Sequence, residues 1–307
     1  MAELKPGRII EWHRLSPSLS LFRVVAADGA RFPTYEAGQY IALRRDDCLL
    51  TRKVKEGNEV RYVPDLDADG KQKRGSVTHS YSISSAPYET AAGNYLEFYV
   101  VLERGRDGVL GRFTESLFRG AESHDNDRLA YVERIVGDFT LAKRAAGFDH
   151  VLMVGTGTGL APFVSMVKQL HHEAGEGKRP AARFTLLHAN RTFEELAYHR
   201  ELLDLEQSKA LDLVYVASVS RPTARDLADP QVGTGRANNV LRHVFGLPPK
   251  ETGATAPVLP RSRPLELLKE RIVPARTVVL TCGNPNAMAD IAFIAGHAGM
   301  KFEKEDW

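Results

Sequence analysis

Two regimes of hydrophobic and polar patterning divide the chain. In the first half, short β-branched and aromatic runs such as Leu19 to Ala26 and Tyr40 to Leu43 are broken by Asp28-Gly29, Pro33 and Gly38. That spacing predicts the antiparallel strands of a barrel or sandwich. From Cys48 to Thr78 the chain turns polar, most turn-like over Asp65 to Lys73, which predicts an exposed hairpin or long loop. Ser80, Ser82 and Ser84 then alternate with Tyr81 and Ile83 as a strand does. Leu96 to Leu102 and Leu129 to Val136 complete the strands, and Lys143 to Asp149 reads as a linker.

The second half has no such alternation. Val151 to Val154, Arg183 to His188, Leu211 to Ser218 and Arg276 to Cys282 are short apolar runs of the kind a parallel sheet covers on both faces. Between them lie helical patterns. After Pro162, Phe163, Val167 and Leu170 fall on one face. Glu194 to Leu205 predicts a helix with Leu196, Leu202, Leu203 and Leu205 in the core and Tyr198, His199 and Glu201 at the surface. Ala287 to Ala298 predicts the last helix, and Pro248 to Pro264 a loop. The expected fold is a two-domain chain, an antiparallel β-barrel over residues 1–145 and a parallel-sheet α/β domain over residues 146–307.

Composition narrows the classes. Hydrophobic content of 43% and charged content of 26% over 307 residues are those of an ordinary globular protein. A net charge of +2 does not indicate nucleic-acid binding. Two cysteines, Cys48 and Cys282, are too few for a four-thiolate iron–sulfur centre. No apolar stretch has the length of a signal peptide or a membrane span, so a cytoplasmic setting is expected, without membrane association. No metal site is expected, and the expected state is a monomer or weak dimer.

Three stretches carry candidate chemistry. Gly155-Thr156-Gly157-Thr158-Gly159 joins a strand to a helix, where free N–H groups and the helix dipole favour a phosphate, although such loops also serve as plain turns. Gly108-Val109-Leu110-Gly111 with Arg112 is a second phosphate candidate or a capped turn. The second parallel strand ends in Ala189-Asn190-Arg191 with no carboxylate, and Arg221 and Arg236 follow the next runs. Cations there suit a ribose 2′-phosphate, which points to NADP(H). Tyr81 and Ser82 offer a flat ring and a hydroxyl to a planar heterocycle.

The ordered set His79-Ser80-Tyr81-Ser82, Gly108 to Gly111, Gly155 to Pro162, Cys282-Gly283-Asn284-Pro285 and terminal Trp307 resembles the ferredoxin–NADP reductase superfamily, and most of all its bacterial ferredoxin/flavodoxin–NADP reductases. The resemblance implies FAD and NADP(H) as cofactors and ferredoxin or flavodoxin as partners. It implies that Tyr81 stacks on the flavin, Ser82 hydrogen-bonds near N5, and Tyr99 contacts FAD from its strand. Val109, Leu110 and Gly111 would hold the pyrophosphate, and Thr158 would lie near the flavin. Asn190, Arg191, Ser220, Arg221 and Arg236 would bind the 2′-phosphate and adenosine, with Asn284, Pro285, Asn286 and Asp290 as further NADP contacts. Cys282 would lie by the nicotinamide, and Trp307, beside Asp306, would cover the flavin. His79 stands where the family usually has arginine, so it can pair a flavin phosphate only when protonated. Other readings are the NAD(P)H-dependent reductase component of an oxygenase and a flavin-binding docking subunit without turnover.

Overall fold

A computed structural model describes residues 3–56, 59–105, 107–123, 126–251 and 255–305. It comprises two compact units, Met1–Tyr35 with Tyr40–Ser85 and Glu89–Val136, and Glu36–Gln39 with Ala86–Tyr88 and Gly137–Trp307.

The first unit is built on strands β1 (Leu4–Ser16), β2 (Leu19–Ala26), β3 (Tyr40–Leu49), β6 (Arg74–Ser82), β7 (Leu96–Val101) and β8 (Arg128–Val132). They form an antiparallel half-barrel in the order β6-β3-β8-β1-β2-β7. Burial alternates along β2 and β3, so Phe22, Val24, Ile41 and Leu43 face a core shared with Phe98 and Tyr131. Helix α1 (Pro87–Gly93) precedes β7, and α2 (Arg112–Ser123) closes the core with Phe113, Leu117 and Phe118. Arg45, 1% exposed, also points inward. Its guanidinium donates to Ser116 Oγ at 2.9 Å and to the carbonyls of Asn126 and Arg128 at 3.2 and 2.9 Å, with Asp47 as its counter-charge. A buried charge is tolerated on those terms.

The polar tract after Cys48 contains a separate hairpin of β4 (Thr51–Glu56) and β5 (Glu59–Pro64), as expected of it. Tyr62 N–H ties it to Asp107 Oδ2 at 3.2 Å. The last strand of this unit stops at Val132, and Val136 contributes only a bridge to Tyr40. The presumed linker is partly helical, with α3 at Leu141–Arg144.

The second unit holds β9 (His150–Thr156), β10 (Arg183–Asn190), β11 (Leu213–Val219), β12 (Val232–Thr234), β13 (Thr277–Cys282) and β14 (Lys301–Lys304). All pair in parallel, in the order β12-β11-β10-β9-β13-β14. The four central strands are buried almost throughout, which is why their sequences lack alternation. Helices α7 (Ala237–Val244), α8 (Leu265–Arg271) and α9 (Pro285–Ala298) cover Leu152, Val154, Leu187 and Val216 on one face. Helices α4 (Ala161–Gly175) and α5 (His199–Gln207) serve the other, and α6 (Ala224–Ala228) precedes β12.

The helix expected over Glu194 to Leu205 starts later. A 3₁₀ turn at Phe193–Glu195 is followed by Tyr198 in the left-handed region, φ 60°, and only then by α5. That break turns His199 inward, so the residue expected at the surface is 7% exposed and bonds Tyr215 Oη at 3.2 Å. Glu201 does remain partly exposed and pairs with Lys168 of α4 at 3.1 Å. Helix α8 lies just beyond the expected loop, and Val258 within that loop bridges Thr234.

Candidate functional site

The chain runs outward from β9 through β10 and β11 to β12, then returns to the other side of β9 with β13. Strand order therefore reverses between β9 and β13, and ligands of open α/β sheets bind at the carboxyl ends of such strands. Gly155 and Cys282 are register partners there. Past them, Gly157 takes φ 58° into a 3₁₀ turn, Gly157–Leu160, and α4 begins with Pro162 in its first turn. The three glycines differ in what they permit. A Cβ on Gly159 would lie 2.2 Å from Cys282 O and one on Gly155 3.0 Å from Leu160 Cα, whereas one on Gly157 meets nothing within 4 Å. Two glycines are thus demanded by packing, and the middle one borders open space. Thr158 is half-buried in the same turn.

The two strand ends are laced together. Thr156 Oγ1 accepts the Asn284 N–H at 2.7 Å, and Gly283 at φ 120° permits that approach. Asn284 caps α9, its Oδ1 accepting the N–H groups of Asn286 and Ala287 at 3.0 and 3.1 Å, with Pro285 in the first turn. Asn284, Pro285 and Asn286 are exposed.

Because the sheet is parallel, Arg191, Arg221 and Arg236 all follow strand carboxyl ends, as the sequence implied. The ends of β10 and β11 are joined by Ser220 N–H to Asn190 O at 2.9 Å and Arg221 N–H to Arg191 O at 2.8 Å. The charges are less available than their positions suggest. Arg191 is gripped by Glu195 through Nε at 2.9 Å and Nη2 at 2.5 Å, and Asn190 Nδ2 donates to Glu195 O at 2.7 Å. Arg236 pairs with Glu251 at 2.8 Å. Arg221 is exposed and meets no carboxylate among the described residues. Asp290 is 5% exposed and committed to Arg242 at 2.6 Å and Asn238 at 2.8 Å. Burial opposes its ionisation, but those partners hold its carboxyl below the usual range. Its role in the structure is to join α7 to α9, so the structure gives it no face to a ligand.

Cys282 is fully buried and its Sγ–H donates to Glu305 Oε2 at 3.2 Å. Burial, reinforced by Glu305, pushes the thiol well above its ordinary pKa. It is a neutral hydrogen-bond donor. Asp306 and Trp307 lie outside the described residues.

In the first unit, Tyr81 and His79 share a face of β6, ring centroids 5.1 Å apart, and Tyr81 leans on Phe113 at 5.2 Å. Tyr81 Oη is buried without a hydrogen-bond partner. Burial also raises its pKa well above that of a free tyrosine, so it is a neutral donor. Ser82 beside it is 5% exposed. His79 Nδ1 lies 3.0 Å from Ser80 O. A carbonyl only accepts, so Nδ1 carries a ring hydrogen and donates it there. Ser80 is half-buried, and Tyr99 on β7 is 3% exposed.

The loop after β7 departs from expectation. Val109 N–H donates to Asp107 Oδ1 at 3.1 Å and Gly111 N–H to Glu103 O at 2.9 Å, so two of the three backbone donors expected for a pyrophosphate are taken internally. The loop folds back on itself through Gly105 N–H to Val109 O at 2.8 Å, which leaves Leu110 and Arg112 at the start of α2 to face an anion.

Glu195 and Glu305 were not singled out from the sequence. Both are carboxylates in polar segments, and only their burial, 4% and 3% exposed, distinguishes them. Arg225, which stacks on Phe193 at 4.7 Å, was likewise hidden in a short helix.

A dinucleotide and a flavin both fit these observations: an open glycine turn at the switch point in one unit, and an orphaned phenol beside a buried serine in the other. No group of three or more metal-binding side chains exists among the described residues. Comparison with known proteins agrees. Residues 153–293 match the family described as the oxidoreductase NAD-binding domain. The chain is 24% identical over 261 residues to ferredoxin–NADP reductase of Azotobacter vinelandii, covering 81% of each, and 22% identical to that of Pseudomonas aeruginosa, covering 98% of this chain and 92% of the other. A ferredoxin–NADP reductase from Neisseria gonorrhoeae with bound FAD and NADP superposes with a TM-score of 0.62 at 19% identity over 99% of both chains. The cytochrome b5 reductase domain of Ulva prolifera nitrate reductase gives 0.62 at 16%, covering 98% of this chain and 97% of the other. In its ordered motifs, its two-unit fold and these relatives, the chain is similar to the ferredoxin–NADP reductases.

Proposed function

We propose that the protein is an FAD-dependent ferredoxin/flavodoxin–NADP reductase, an oxidoreductase that binds the flavin on its first unit and NADP(H) on its second. The observation that carries this reading is the unpartnered Tyr81 Oη: leaving a buried hydroxyl unpaired costs about 1–3 kcal/mol unless a ligand supplies the partner. Bound flavin supplies the redox chemistry, exchanging a hydride with NADP(H) and single electrons with a protein partner.

The residues of the chain bind and orient. Tyr81, braced by Phe113, presents a ring face for stacking, and the Ser82 hydroxyl serves the flavin N5 edge. The open turn at Gly157 and the first turn of α4 receive a diphosphate. Arg221 meets the 2′-phosphate, and the Cys282 thiol, held by Glu305, is oriented without being ionised. The electron partner is proposed to be a ferredoxin or a flavodoxin, the substrates that the names of the matched relatives state.

The test is direct. Purified protein should take up FAD and turn yellow, bleach within seconds on anaerobic mixing with NADPH, and then reduce an added ferredoxin or flavodoxin. Tyr81→Phe should weaken FAD binding about ten-fold while leaving the flavin-free protein at least as stable. A colourless protein, or a flavin that NADPH cannot bleach, refutes the assignment.

A further inference from the structure

The Arg191–Glu195 pair stands where the second strand of a dinucleotide fold chooses between nucleotides. There a carboxylate holds the ribose 2′-hydroxyl of NAD, and an arginine accommodates the 2′-phosphate of NADP. This chain has both, locked together. Glu195 is 5% exposed at its side chain and takes two of the Arg191 donors, Nε and Nη2, in a bidentate grip. Its main chain is fixed as well, by Asn190 Nδ2 to Glu195 O, while Asn190 Oδ1 accepts Arg191 N–H at 3.0 Å. Arg236 and Glu251 differ from this pair, being 67% and 45% exposed, and exposed pairs part readily. For Arg191 to turn wholly to a phosphate it would have to abandon a buried carboxylate, which is strongly unfavourable.

We infer that Glu195 is the specificity-determining residue of the nucleotide site: by holding Arg191 in a neutral pair it removes that cation from 2′-phosphate recognition and leaves the task to Arg221. This rests on the reading of the second unit as the NADP(H) site. Arg221 is exposed beside the pair, its N–H bonded to Arg191 O, and Arg225 on Phe193 adds a second positive charge past the same strand ends. The pair sets the margin by which the site prefers NADPH, and each half of it acts in the opposite direction when left alone.

The experiment is a double-mutant cycle read in two ways: the ratio of kcat/KM for NADPH to that for NADH, and the calorimetric affinity for adenosine 2′,5′-bisphosphate relative to adenosine 5′-phosphate, which needs no turnover. Glu195→Gln frees the guanidinium, and both ratios should rise about ten-fold, the worth of one charge-assisted contact. Arg191→Ala bares a carboxylate, and both should fall at least as far, toward the 2′-hydroxyl nucleotide. The double variant, which carries no buried unpaired charge, should lie within about three-fold of the parent. The inference is overturned if Glu195→Gln leaves both ratios unchanged, or if the double variant loses as much as Arg191→Ala, since Arg191 would then be a simple phosphate ligand. Should Glu195→Gln not fold, the comparison of the double variant with Arg191→Ala still decides. A parent that binds neither adenosine phosphate defeats the nucleotide-site reading and this inference together; binding with unaltered ratios defeats the inference alone.

Discussion

Ser82 and Tyr81 are neighbours on β6 with opposite surroundings: the serine almost fully covered, the phenol covered and unpartnered. A hydroxyl held on a strand end makes the same contact before and during the reaction only if the acceptor does not change charge. If Ser82 serves flavin N5, its hydroxyl would donate to the bare nitrogen and accept from it once N5 carries a hydrogen, a contact made at the reacting atom in both states. Ser82→Ala should therefore slow hydride transfer at least ten-fold in anaerobic single-turnover mixing while changing NADPH affinity less than two-fold. An unaltered single-turnover rate removes that role. The placement of Tyr81 and Ser82 side by side on β6, and of Arg221 past the carboxyl end of β11, was legible because type and order suffice for that. The commitment of Asp290 to Arg242, and of Arg191 to Glu195, was not, because a sequence shows which charges exist and not which of them have met.

The turn from β9 to α4 is the element that reads most directly from sequence, because its three glycines answer distinct geometric demands. Those demands separate under substitution. Gly159→Ala pushes a methyl into the Cys282 carbonyl at the end of β13, so it should destabilise by about 1–3 kcal/mol and abolish nucleotide binding. Gly157→Ala points into open space and pays only for a left-handed alanine, about 1 kcal/mol. Thermal melts with and without NADP distinguish the two, and equal losses contradict the packing account. The helix at 199–207 was misplaced for an equally local reason. Nothing in Glu194 to Leu205 announces that Tyr198 adopts φ 60°, a conformation imposed by tertiary packing against propensity.

Across the whole molecule, stability is tied to acid through three enclosed histidines of the second unit. Burial lowers His150 to about 4 and His188 to about 3, with Arg271 and His199 respectively adding to the effect, and burial lowers His199 as well. Each is neutral when folded and takes up a proton near 6.5 once unfolded. The unfolded chain thus binds more protons below that point, so this stabilisation is complete above pH 6.5 and drains away as the pH falls toward 4 and 3. For His150 alone the loss by pH 4 is about 3 kcal/mol. Urea denaturation between pH 7 and pH 4 should show the decline, and His150→Gln should flatten part of it; identical slopes rule that histidine out. The division of the chain into two units, one alternating and one uniformly apolar, was already visible at this scale, because sheet type dictates the burial rhythm.

Asp107 receives Tyr62 of the β4–β5 hairpin on one oxygen and Val109 of the loop before α2 on the other. The β4–β5 hairpin is in this way a strut for the loop. Trimming it would leave every motif intact on paper and still let the anchor of that loop slacken, so shortened versions are best drawn with Asp107 and its two tethers kept as one piece.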